Sequence, residues 1–145
     1  MEYINYTQAD ANNDGIEYAI SKYSQKVVGN NDQMIGAIIF QDNDLKVEDS
    51  FIFESDNEEA KLYYENLNKV NTIQLRKIIF DEDHRYSGEL ENLFNHITTN
   101  IIPTDYVIWC NPILDLKSYL KQIGGFNPPL FDIPNKNILL FSIDS

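Results

Sequence analysis

The chain has 145 residues, with 23 acids against 11 bases and a formal net charge of −12. That length suits one domain spanning residues 1–145, able to bury about two thirds of the surface its unfolded chain exposes. An acid excess of this size repels nucleic acid and anionic membrane, so neither is an expected partner. A single cysteine, Cys110, excludes an intramolecular disulfide framework.

The opening MEYINYTQAD lacks a basic stretch leading into an apolar run, so no secretory signal is expected. The longest apolar runs, such as Met34 to Phe40, are far too short to span a bilayer. The expected location is the cytoplasm. Charge is concentrated: residues 42–91 hold 14 of the acids and 6 of the bases.

In chain order, Ile16, Ala19, Ile20, Tyr23 and Val27 at helical spacing predict a helix over 14–28, stopped by Gly29. Met34 to Phe40 reads as a strand, Gln41 to Asp44 as a turn, and Val47 to Phe53 as a second strand, together an antiparallel hairpin. Ser55 with Glu58 forms a capping box opening a helix with Ala60, Tyr63, Tyr64 and Leu67 inward. Thr72 to Phe80 is a strand, and Ser87 to about Asn100 a helix with Leu90, Leu93, Phe94 and Ile97 on one stripe. Asp105 to Cys110 is a short, continuously apolar strand expected at the centre of the sheet. Asn111-Pro112 opens a helix carrying Ile113, Leu116, Leu120 and Ile123, which Gly124-Gly125 ends. A Pro-rich loop leads to a last strand, Ile138 to Ile143. The order α-β-β-α-β-α-β-α-β predicts an α/β fold, with α+β as the alternative. Its sheet is expected to be mixed, mostly parallel and five-stranded, with an N-terminal hairpin and about four helices packed on it.

Candidate sites were weighed on chemistry. Asp10-Ala11-Asn12-Asn13-Asp14-Gly15 reproduces the first half of a calcium loop, but its twelfth position is Ser21, where a bidentate Glu is needed. Asp81-Glu82-Asp83-His84 follows a strand, where a metal site would suit, yet no partner ligands occur elsewhere. His96 falls one step off an apolar stripe and reads as half-buried structure. Asp44-Leu45-Lys46, Glu59-Ala60-Lys61 and Asp115-Leu116-Lys117 resemble nuclease triplets but fall on helices or a turn. Cys110, at a strand end before a helix start, could be a nucleophile with His84 or His96 as base, though no signature surrounds it. Phosphate loops, nucleophile elbows and zinc-spaced Cys/His sets are missing from the sequence, so no metal, cofactor or catalytic residue is expected.

What remains is the acidic middle with its aromatics: Asp42, Asp44, Glu48, Asp49, Glu54, Asp56, Glu58, Glu59, Tyr63, Tyr64, Asp81, Glu82, Asp83 and Tyr86. Such a surface suits a basic protein, because carboxylates speed its association and tyrosines anchor it. The sequence-level expectation is therefore a non-enzymatic immunity or antitoxin-type inhibitor of a basic toxin, most naturally a nuclease. A small metal- or cysteine-dependent hydrolase and a DNA mimic that blocks a defence enzyme are the alternatives, with a structural or ligand-sensing subunit behind them.

Overall fold

The segment Thr-Ile-Gln-Leu-Arg-Lys-Ile-Ile-Phe changes phase halfway. Ile73 and Leu75 alternate as a strand should, but the next apolar pair on the same face is Ile78 and Phe80. One residue must be looped out for all four to share a face. The computed structural model, which describes residues 1–41, 71–104, 106–110, 116–125 and 139–142, places that residue at Arg76.

Among the described residues, six strands form one sheet in the order β1 (Glu2–Asn5), β2 (Gln25–Val28), β3 (Met34–Gln41), β4 (Asn71–Phe80), β5 (Tyr106–Cys110) and β6 (Leu139–Ser142). Every neighbouring pair is antiparallel except β4 and β5. The sheet is thus mixed, as expected, but mostly antiparallel rather than mostly parallel. The parallel expectation rested on strand–helix alternation, and only the β4 to β5 crossover, which passes through a helix, produces a parallel pair. β5 has a partner on each side, so it is an inner strand next to the edge pair.

The predicted helix over 14–28 is replaced by α1 (Gln8–Asn13) and β2. Thr7 and Asp10 make a reciprocal capping box that starts the helix early. Ile16 and Val27, assigned to one helical stripe, are buried in clusters on opposite faces of the sheet. No single helix can do that. Met34–Phe40 does form a strand, but its neighbours are β2 and β4. Val47–Phe53 and the helix after Ser55 lie outside the described residues.

One face of the sheet carries α2 (Glu89–His96) and α3 (Lys117–Ile123). Leu90, Leu93, Phe94 and Leu120 there pack against Ile38, Phe40, Ile73, Leu75, Ile78 and Ile108. The other face carries α1 and the chain after it, with Tyr6, Ala11 and Ile16 over Ala37 and Ile39. The helix predicted to reach Asn100 changes to a wider π turn at Ile97–Ile101. Gly124 ends α3 with φ +67, a conformation that glycine adopts cheaply. No helix among the described residues is long and apolar enough to cross a membrane.

Candidate functional site

The bulge at Arg76 coincides with the end of the β4–β5 ladder. The two parallel strands pair from Asn71/Tyr106 to Leu75/Cys110, and β4 then runs on for Arg76 to Phe80 while still bonded to β3. A bulge bends its strand and increases local twist. Among the described residues, β4 has no ladder partner on its β5 side beyond Leu75, and this break at the C-terminal ends of the only parallel pair is the candidate opening. Open sheets bind ligands at such ends. The β5-facing edge of residues 76–80 supplies backbone groups that can pair with an extended, amide-bearing ligand as a further strand would.

The exit from β4 is held firmly. The Asp81 amide donates to the Ile35 carbonyl at 2.9 Å. The Asp81 Oδ1 accepts from the His84 amide at 3.0 Å and lies 2.7 Å from His84 Nδ1. Ser87 Oγ donates to the His84 carbonyl at 2.9 Å. This braced loop delivers the chain to Gly88, the residue that opens α2 with φ +88 and no side-chain cap. The first-turn N–H groups of α2 are therefore not taken by a capping side chain, and such a helix start attracts anions. Just before it stands Arg85, whose guanidinium lies 5.5 Å from the Tyr119 ring centroid. Its Nε is buried without a hydrogen-bond partner among the described residues.

On the opposite face Arg76 lies 5.0 Å over the Tyr18 ring. Burial raises the Tyr18 pKa, and the charge and hydrogen bond of Arg76 oppose that rise. Neither arginine forms an ion pair with a carboxylate among the described residues, where Lys26–Asp10 and His84–Asp81 are the pairs formed.

Of the partner-binding residues expected from sequence, Asp42, Asp44, Glu48, Asp49, Glu54, Asp56, Glu58, Glu59, Tyr63 and Tyr64 lie outside the described residues. Asp81, Glu82, Asp83 and Tyr86 fall together on the loop between β4 and α2, with Tyr86 77% exposed. The calcium-like segment is α1 itself: Asp10 is occupied by Thr7 and Lys26, and Asp14 accepts from Tyr6 at 2.5 Å. Cys110 is wholly buried. Among the described residues, no three of His, Cys, Asp and Glu come together to hold a metal ion.

Sequence reasoning passed over Arg76, Arg85, Gly88, Tyr18 and Tyr119. The phase slip within Thr72–Phe80 was the available signal for Arg76. For Gly88 it was a glycine that opens an apolar-striped helix shortly after a strand.

No protein-family model matches the chain, and no curated protein does. Solved structures do match. The ribosomal-protein-S18-alanine N-acetyltransferase of Escherichia coli superposes with a TM-score of 0.51 at 11% identity, over 99% of this chain and 94% of that one. A Staphylococcus aureus protein thought to be an acetyltransferase gives 0.51 at 13% identity, over 85% of this chain and 73% of that one. The likeness is one of fold. It overturns the expectation of a non-enzymatic immunity or antitoxin protein, because the solved structures that share this fold are N-acetyltransferases. That expectation rested on the acid excess, the tyrosines among it and the lack of a catalytic motif, and net charge bears on association rather than fold. The chain has the fold of the N-acetyltransferases.

Proposed function

We propose that this chain is an N-acetyltransferase, moving an acetyl group from a coenzyme A thioester to an amine. The observation that carries the proposal is the bulge-opened β4–β5 pair, in a fold shared with N-acetyltransferases over nearly the whole of both chains. The thioester supplies an activated acetyl carbon, so the amine nitrogen bonds to it as the carbon–sulfur bond breaks, and the proton the amine sheds balances the sulfur that leaves as coenzyme A thiol.

The residues present fit such a donor. The edge of β4 beyond Leu75, which has no ladder partner on its β5 side among the described residues, matches an extended arm with amides, and the uncapped start of α2 matches its pyrophosphate. A Cβ built on Gly88 meets nothing within 4 Å, so space as well as N–H groups is present there. Arg85 adds a cation whose buried Nε lacks a partner. Glu89 and Glu91 in the first turn of α2 act against an anion at the same place. Binding is accordingly expected to be modest and sensitive to salt. Transfer is direct rather than through an acyl-cysteine, since Cys110 is buried from any incoming acyl group.

Titration calorimetry with acetyl-coenzyme A at low salt tests the first half of the reading, and thiol release in the presence of a panel of amines tests the second. Saturable binding with amine-dependent thiol release is the expected result. No binding at millimolar donor and no thiol release with any amine would remove the proposal.

A further inference from the structure

Arg76 is the looped-out residue of β4, the first residue beyond the β4–β5 ladder, and so stands at the lip of the opening. Its guanidinium turns to the α1 face, over the ring of Tyr18, which packs on the cluster of Tyr6, Ala11, Ile16, Ala37 and Ile39. The donor-binding groups, Arg85 with Tyr119 and the start of α2, belong to the other face. Arg76 is thus separated from the donor's phosphates by the sheet itself.

Arg76 is half-buried, and ten of the chain's 23 acids lie among the described residues. Among the described residues it pairs with none of them. Stacking on the Tyr18 ring occupies one face of the guanidinium. Its in-plane donors match a carboxylate in a two-pronged pairing.

Resting on the acetyltransferase reading above, we infer that Arg76 selects the acceptor: the amine that receives the acetyl group carries its own carboxylate, as a free amino acid does. Arg76 holds the carboxylate on the α1 face of the opening while the amino group reaches the acetyl carbon between β4 and β5. Arg76 is a specificity residue in this scheme and takes no proton.

The test is thiol release from acetyl-coenzyme A with the twenty L-amino acids, their carboxamides and their decarboxylated amines, using wild type, Arg76→Gln and Arg76→Lys. Wild type should favour at least one amino acid over its carboxamide and amine by about 10- to 100-fold in kcat/KM, the usual worth of a hydrogen-bonded charge pair. Arg76→Gln should erase that preference through KM, with the carboxyl-free amine losing far less than the amino acid. Arg76→Lys, which keeps the charge and loses the fork, should fall between the two. Donor binding by calorimetry should be the same in all three proteins, which also shows that the variants fold. Equal use of acid, carboxamide and amine by wild type overturns the inference alone, as does an undiminished preference in Arg76→Gln. Absence of donor binding and of transfer to every acceptor overturns the acetyltransferase reading and this inference with it.

Discussion

Gly36 lies directly opposite Phe80, and the ring covers the place where a side chain would start. A Cβ built on Gly36 comes within 2.6 Å of three carbons of that ring. The contact falls on the body of a rigid ring that is itself buried in the main core, so it cannot be relieved by swinging away a flexible tip. Replacing glycine by alanine in an unhindered strand stabilises by roughly 0.5–1 kcal/mol. Overpacking of a tight core costs roughly 1–3 kcal/mol, so the clash wins and Gly36→Ala should destabilise by about 1 kcal/mol or somewhat more. For a domain of this size that lowers Tm by about 2–4 °C per kcal/mol. The single tryptophan, Trp109, is buried in β5 and reports unfolding in urea. In a Phe80→Leu background the same alanine should be neutral or stabilising, a coupling of about 1–2 kcal/mol across the cycle. Because Asp81, next to Phe80, bonds the Ile35 carbonyl, displacement of the ring should also pass into the loop before α2 and weaken acetyl-coenzyme A binding. A Gly36→Ala variant more stable than wild type, or one whose cost is unchanged by Phe80→Leu, would refute the close-packed pairing.

Three other perturbations follow from the site and its supports. Arg85→Gln should weaken acetyl-coenzyme A binding by about tenfold in calorimetry while barely changing Tm, as loss of one charge-assisted contact requires. Glu89→Gln and Glu91→Gln should do the reverse, tightening donor binding by about two- to fivefold, because each removes a like charge from a helix start that attracts anions. Burial works against the Asp10 carboxylate, but hydrogen bonds from Thr7 and the Lys26 ammonium outweigh it and hold its pKa below the ordinary value of 3.8. A depressed folded-state pKa gives stability that is present above the unfolded value and lost as pH falls through the folded one. Asp10→Ala should therefore cost about 1 kcal/mol at neutral pH in urea titrations and converge with wild type in strong acid.

Much of the framework was legible because its signals are local. The run Tyr106–Cys110 is a buried strand, as its continuous apolar character implies, though it stands beside the edge strand rather than at the centre expected, and the α2 stripe of Leu90, Leu93 and Phe94 repeats at helical spacing. The failures share a physical cause. Residues 14–28 satisfy a helical period by coincidence, and the choice against a helix is made by pairing. Gln25–Val28 gains β1 on one side and β3 on the other, and Tyr6 and Ile16 fill the layer that the helix would have occupied. Likewise Met34–Phe40 pairs with a strand some thirty residues further along, because its apolar residues match both faces of β4 once Arg76 is looped out. Pairing over such a separation leaves no trace in a short window of sequence. The phase slip in β4 does leave one, and it marks the residue around which the opening is built.

Net charge misled for a related reason. It sums over the whole molecule, whereas binding depends on which charges stand at the site and on their partners. A chain of −12 holds two arginines beside the opening, each stacked on a tyrosine and neither paired with an acid among the described residues. Cations without a carboxylate partner among the described residues suit something that arrives with its own negative charge. Arg85 at the start of α2 meets it on the donor side, and Arg76 at the bulge meets it on the acceptor side. On this account the acid excess is background against which two local positive sites are defined. The two proposed anion sites lie on opposite faces of one strand, where its ladder with β5 ends among the described residues.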